Sequence, residues 1–230
     1  VQLEGALKNN YKILDYKVAP QNVTFEDVES VISTVSSVKA VVDINGLDRD
    51  INRQVEGKVY NKEGKEIASL SKNLRVDFIL EVAKEVPIDL VITGKPAADY
   101  VEVSRKLSPQ TALIRGAPEI LDKINKLETE PISIENIEQS IDLTSKIKLP
   151  EGVSLVNTPK DVEVNVEVEK LVSKEFVIAR DSINVFNSGM LTCEINTESV
   201  TVTVKGRMRD INTLTLDRIV ASVDVGELSE

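Results

Sequence analysis

Two stretches of this chain, 89 residues apart, carry the same turn residues in the same order. Gly5, Tyr11 and Pro20 recur as Gly94, Tyr100 and Pro109, and Pro20-Gln21 returns intact as Pro109-Gln110. Val42-Asp43-Ile44-Asn45-Gly46-Leu47 lines up with Ile132-Ser133-Ile134-Glu135-Asn136-Ile137, and Glu63-Gly64 with Glu151-Gly152. A Gly, a Tyr and a Pro kept at one spacing mark a repeated structural unit. A third copy is partial: residues 200–206 correspond to 110–116, and Val223-Asp224-Val225-Gly226-Glu227-Leu228 to residues 42–47. The repeat divides the chain into modules at 1–83, 84–170 and 171–230, the last incomplete.

A module of that size is close to the limit at which one core suffices, so each is expected to lean on its neighbour. Aromatic residues make up 3% and Trp is absent, so the cores must be built from Val, Ile and Leu, which favours strands. Residues 161–169 alternate strictly, placing Val162, Val164, Val166 and Val168 on one face and Glu163 and Glu167 on the other. That is the pattern of a half-buried antiparallel strand. Leu74, Val76, Phe78 and Leu80 are expected to be its counterpart in the first copy. Gln21 to Phe25 is expected to open another strand.

Each module is also expected to carry one short helix. Val28, Val31, Ile32 and Val35 fall on one stripe, as do Ile120, Leu121, Ile124 and Leu127 behind Pro118. In the third copy Ile211 and Leu214 sit similarly, although Thr213 and Thr215 weaken the pattern. The joints, 81–87 and 169–174, are not rich in Gly or Ser, so a floppy tether is not expected. The fold class is mainly β: tandem β-rich modules, each with one short helix, in an elongated array.

The chemistry the residues permit is narrow. His is absent, which removes the commonest general base and transition-metal ligand. Cys193 is alone, so there is neither a disulfide framework nor a His-activated thiol. Ser71-Lys72, Ser145-Lys146 and Ser173-Lys174 put adjacent residues on opposite faces if they lie on strands, and so could not cooperate. Asp48, Asp50 and Asn52 offer oxygens for a hard cation, but no bidentate Glu follows at a fitting distance, and a solvated loop is the simpler reading. Arg49-Asp50-Ile51-Asn52 recurs as Arg209-Asp210-Ile211-Asn212, on opposite sides of the 42–47-type strand and hence by coincidence. Tyr11 and Tyr100 are expected to anchor cores, with their hydroxyls at the edge. A net charge of −10 argues against nucleic acid. Catalytic, cofactor-binding and metal residues are therefore all read as none, and no residue is singled out for a partner contact.

Taken together, Gly-x(5)-Tyr, a run to Pro-Gln, an alternating strand, residues 116–124 (GAPEILDKI), residues 149–153 (LPEGV) and a valine-rich strand resemble the YbbR domain. The second copy matches along its length. The first has Asp27-Val28-Glu29 in place of the Gly-x-Pro before its helix, and the third has Ser199 in place of the central Pro. The resemblance implies a non-enzymatic protein on the extracytoplasmic face of a Gram-positive cell membrane, held by an anchor outside this sequence. It further implies a partner, a membrane-bound diadenylate cyclase, whose cyclic di-AMP synthesis it would control. A cell-surface structural or adhesive array, binding wall polymer or protein through the same modules, is the alternative.

Overall fold

The computed structural model describes residues 1–186 and 193–226. Glu227 and Leu228, which close the third copy in sequence, lie outside the described residues. The elements in order are β1 (Gln2–Glu4), β2 (Tyr11–Ala19), α1 (Glu29–Ile32), β3 (Val35–Asp43), β4 (Ile51–Asn61), α2 (Ala68–Ser71) and β5 (Arg75–Asp89). Then come β6 (Ile92–Thr93), β7 (Tyr100–Ser108), β8 (Thr111–Gly116), α3 (Pro118–Leu121), β9 (Leu127–Thr129), β10 (Ile132–Ser133), β11 (Ile141–Lys148) and β12 (Val153–Val156). The last are β13 (Asp161–Ala179), β14 (Ile183–Phe186), β15 (Ser199–Arg207), α4 (Met208–Thr213) and β16 (Ala221–Asp224). The molecule is mainly β, as its composition requires.

The same local wiring appears three times. β1 runs parallel to β3, β6 to β10 and β14 to β16. After each pair the chain is tied by one equivalent bond: the N–H groups of Ile44, Ile134 and Val225 donate to the carbonyls of Glu4, Thr93 and Phe186 at 2.9, 2.9 and 3.1 Å. A side-chain oxygen then accepts from the backbone two residues on. Asp43 Oδ1 takes Asn45 N–H at 2.8 Å, Ser133 Oγ takes Glu135 N–H at 3.3 Å, and Asp224 Oδ1 takes Gly226 N–H at 3.0 Å. Gly5 and Gly94 are glycine for two reasons. Both have positive φ, +86° and +80°, and a Cβ there would lie 3.0 Å from the Cα of Asn45 or Glu135. The Ala19-Pro20 and Ser108-Pro109 bonds are both cis.

The chain forms two compact units, which cut across the sequence repeat. One comprises Val1–Val91, Leu107–Pro131 and Thr144–Glu163; the other comprises Ile92–Lys106, Ile132–Leu143 and Val164–Glu230. In the first, β5 is the hub. It pairs antiparallel with β2, β4 and β8 and parallel with β9, while β12 extends β8. Val42, Val59, Phe78, Leu80, Val86 and Ile114 fill its core, each at most 1% exposed. In the second, β13 pairs with β7 and, from Leu171 to Ala179, antiparallel with β15. Val164, Val166, Phe176, Ile178 and Ile211 are buried there.

The units follow from how the modules interlock. β8, on which α3 packs, pairs with residues 84–87 of β5, the strand that runs from the first copy into the second. β15, on which α4 packs, pairs likewise with Leu171 to Ala179 of β13, which runs from the second copy into the third. Residues 21–27 of the first copy have no such strand beside them among the described residues and stay irregular, contrary to the strand expected at Gln21 to Phe25. The same reason limits α1. It is one turn long with no buried residue, and Val28 is 62% exposed, whereas α3 buries Leu121 and α4 buries Ile211. The first module also carries α2, a turn of helix that its sequence pattern did not announce.

The alternation in β13 is seen as expected: Val162, Val164 and Val166 are at most 1% exposed and Glu163 faces water. Glu167 is only half-buried, because Ser104 Oγ (2.7 Å) and Lys106 Nζ (3.1 Å) donate to its carboxylate. The counterpart strand is displaced by two residues from the expected alignment. Leu74 O accepts from Gly57 N–H and Lys160 O from Ile147 N–H, so Val162 corresponds to Val76 and Val164 to Phe78.

Candidate functional site

A grouping of buried and charged side chains lies where the first module meets the helical half of the second, inside the first compact unit. Its centre is Lys84 on β5. The apolar alternation of Val76, Phe78, Leu80 and Val82 passes through position 84 to Val86 and Ile88, so Lys84 points into the core face. It is 7% exposed. Its ammonium donates to the carbonyls of Leu121 (2.7 Å), which also accepts the Ile124 N–H, and of Ile124 (2.8 Å), at and just beyond the C-terminal end of the one-turn helix α3. Burial pushes the Lys84 ammonium below the usual lysine range. On the same strand pair Tyr11 stands opposite Lys84.

Two ionic groups flank Lys84. Lys8 bridges Asp48 (3.0 Å) and Asp122 (2.7 Å), and these hydrogen bonds, Asp122's first, raise its pKa above the usual lysine range. Asp48 in turn is held below the ordinary carboxylate range, chiefly by Lys8. On β8, Arg115 donates to Glu81 (2.9 Å) and to Asp50, whose other oxygen accepts the Val82 N–H at 2.8 Å. Between the two groups is a cleft of about 390 Å³, lined by Tyr11, Asp48, Arg49, Asp50, Arg115 and Leu121 among others. Gly116 is a structural requirement at its edge, since a Cβ there would meet the carbonyl of Gly152 at 2.7 Å. Tyr11 is 7% exposed and its hydroxyl has no hydrogen-bond partner among the described residues. Burial, and then the nearby Asp122, raise its pKa, so the hydroxyl stays protonated.

The equivalent joint in the second unit is built differently. Lys174 on β13 matches Lys84 by its strand partner, donating to Leu214 O at 2.9 Å, but it is exposed. Leu171 N–H donates to Asp99 O as Glu85 N–H does to Asn10 O. The two landmarks, adjacent on β5 at residues 84 and 85, are therefore separated on β13, which has 19 residues against 15 in β5. Four added residues lengthen an extended strand by about 13 Å. Tyr100 consequently remains half-buried. Ala97 stands where Lys8 does and Asn212 where Asp122 does, so that bridge has no counterpart. Lys205, the counterpart of Arg115, pairs instead with Asp99, whose pKa it lowers.

The candidates read from sequence fall mostly into structural roles. Asp48 and Asp50 are ion-pair partners, and among the described residues no cluster of three or more acidic or Cys side chains is arranged to hold a metal. Ser145 Oγ donates to Glu130 O at 3.0 Å. Ser71 is not on a strand: it closes α2, where its hydroxyl donates to Ile67 O (3.1 Å) and accepts Val59 N–H (2.9 Å). Ser173 and Lys174 lie on β13 as adjacent strand residues. Residues 49–52 form a loop and the start of β4 while 209–212 lie in α4, so that match is a coincidence. Cys193 is exposed and free. Lys84 and Arg115 went unnoticed in the sequence, although a lysine in phase with buried valines was a readable signal.

The YbbR-like protein family matches this chain at residues 1–78 and again at 86–166, and the chain belongs to that family. It is 24% identical over 237 residues to the CdaA regulatory protein CdaR of Bacillus subtilis (strain 168), a match covering 99% of this chain and 48% of that protein. The chain thus spans about half the length of that curated relative. Among solved structures it is similar to SuR18C from Streptococcus thermophilus, at 30% identity and a TM-score of 0.34, over 38% of this chain and 84% of that one. It is also similar to a YbbR-like protein from Streptococcus pneumoniae TIGR4, at 13% identity and a TM-score of 0.27, over 74% of this chain and 92% of that one.

Proposed function

We propose that this chain is the extracytoplasmic, non-enzymatic part of a regulator that controls a membrane-bound diadenylate cyclase, and hence cyclic di-AMP synthesis, by contact. The observation that carries this reading is the similarity to a CdaA regulatory protein along nearly the whole chain. The residues are consistent with it: the clustered charges are paired with one another, and the serines beside lysines at 71 and 145 are spent on backbone bonds. Among the described residues no helix is long and apolar enough to cross a membrane, so in this reading the anchor lies outside the sequence. The modules are taken as 1–83, 84–170 and 171–230, the third incomplete.

With the cyclase domain in the cytoplasm and these modules outside, control must pass through the membrane by favouring one arrangement of the cyclase over another. That requires different affinities for the two arrangements. The test has two arms. The soluble fragment added to the isolated cyclase domain should leave the rate of cyclic di-AMP formation unchanged, and the anchored full-length protein co-expressed with full-length cyclase should change it. An effect of the soluble fragment on the isolated domain would overturn the transmembrane route. No effect of the anchored protein would overturn the regulatory reading.

A further inference from the structure

The two strands that run from one copy into the next carry the same short string. On β5 it is Lys84-Glu85-Val86-Pro87-Ile88, and on β13 it is Lys174-Glu175-Phe176-Val177-Ile178. Each pairs antiparallel in the same register. Lys84 and Val86 stand opposite Ile114 and Ala112 of β8, and Lys174 and Phe176 opposite Val204 and Val202 of β15. The lysine of each string also reaches carbonyls at or just beyond a short helix, those of Leu121 and Ile124 at the first joint and that of Leu214 at the second. Residues 21–26 match the receiving strands but have no donor. Phe25 stands where Ile114 and Val204 do, and Val23 where Ala112 and Val202 do. Both are half-buried between exposed neighbours, the alternation of a strand. Yet no group of residues 21–26 has a hydrogen-bond partner among the described residues. The Ile32 carbonyl, which matches that of Leu121, has none there either.

We infer that residues 21–26 are the acceptor edge for an extended strand of this Lys-Glu-apolar-x-Ile kind, supplied by the stretch of the protein before Val1. Strand addition takes its strength from backbone hydrogen bonds and its register from alternate side chains. The docked strand satisfies the open edge, gives Val23 and Phe25 apolar neighbours, and brings a basic side chain to the Ile32 carbonyl. The charge of the edge suits that side chain. Glu26, Asp27 and Glu29 are exposed, none forms an ion pair among the described residues, and Glu26 stands where Arg115 does in the second copy. A second copy of this chain does not fit the role. Both of its strings are already paired, with β8 and β15, and donating either one opens a joint. The repeat also places the basic residue. Lys84 lies ten residues before Gly94, the counterpart of Gly5, and Gly5 lies four after Val1, so the matching residue lies six before Val1. The inference rests on the reading above that this chain is part of a longer protein, which its match to only 48% of CdaR supports, and not on the regulatory role.

Amide hydrogen exchange tests this in the 230-residue chain and in the longer natural form that includes the stretch before Val1. After correction for intrinsic rates, the amides of residues 22–25 should exchange at least about 10-fold more slowly in the longer form. Those of residues 112–114, paired in both forms, should not change. Nuclear Overhauser contacts should join Phe25 to the residue six before Val1, and that residue or one beside it should be Lys or Arg. Replacing it with Ala should lower the protection of residues 22–25 at least about 3-fold, and exchanging Lys for Arg there should not. Phe25→Asp in the longer form should return residues 22–24 to the rates of the short form and leave residues 112–114 protected. Equal exchange in the two forms, or no basic residue within one position of that place, would overturn the inference. Protection that grows with protein concentration would overturn it too, by showing that another molecule supplies the strand. The cyclase takes no part in the measurement, so the outcome is independent of the regulatory reading.

Discussion

The two joints of this chain use the same parts to different ends. At the first, the strand partner Tyr11 and the helix-capping Lys84 meet at one position of β5, and the lysine is buried beneath α3. At the second, four extra residues of β13 separate the corresponding landmarks, and Lys174 makes its single bond to Leu214 O in contact with solvent. A repeated module therefore does not imply a repeated interface. The number of residues in the shared strand decides whether the charged groups of neighbouring copies converge. An even insertion preserves the in-and-out alternation, so the cores survive while the joint between them is rebuilt.

The largest expected effects concern the cores, which should behave alike. Val164→Asp, and Phe78→Asp at the corresponding position, each bury an unpaired charge and should cost about 3 kcal/mol or more, measured by urea unfolding. If either variant unfolded at the parent's urea concentration, the alternation would not mark a core face there and the correspondence of the two strands would fail.

The joints should then separate. Lys84→Ala removes the donor to two carbonyls and the packing of a buried stem, with an expected loss of about 2–3 kcal/mol. Lys174→Ala removes one exposed hydrogen bond and a cation–π contact 4.9 Å from the Phe176 ring centre, and should change stability by about 1 kcal/mol or less. Similar losses from the two substitutions, read from the same unfolding curves, would erase the distinction drawn between the joints.

Acid should have the smallest effect and should reach both. The Lys8–Asp48 and Lys205–Asp99 contacts hold their aspartates below the ordinary range. A depressed carboxylate contributes stability that is present above its unfolded pKa of about 4 and is lost as pH falls through the native value. Asp48→Asn should flatten the acid limb of stability against pH at the first joint, and Asp99→Asn at the second, as read by amide exchange between pH 2.5 and 5. An unaltered limb in either variant would show that the ion pair is not formed in solution. Both aspartates lie near the surface, so the effect should shrink with added salt.

The sequence made the modules legible because turn chemistry is local. Gly5 and Gly94 share a positive φ, and Asp43, Ser133 and Asp224 close the same side-chain turn, all visible as short recurring strings. The valine alternation in β13 was legible for the same reason. The joints were not. Lys84 reaches α3 only through the register of β5 against β8, a long-range pairing that no local spacing encodes. The same long-range pairing explains the mislaid strand at Gln21 to Phe25. β8 is a strand because β5 lies beside it, and the first copy has the residues without the neighbour. Tyr11 anchors the core as expected, but its hydroxyl is buried and not at the edge.

The difference between the joints is tested most directly by hydrogen exchange at two equivalent amides. Ile124 N–H donates to Leu121 O at 3.1 Å beside Lys84, and Leu214 N–H donates to Ile211 O at 3.2 Å beside Lys174. The bonds match, and only their surroundings differ. After correction for intrinsic rates, the Ile124 amide should exchange at least about 10-fold more slowly, a difference of about 1.4 kcal/mol in local opening. Lys84→Ala should abolish most of that difference. Equal protection of the two amides in the parent protein, or greater protection of Leu214, would contradict the claim that the first joint is the closed one.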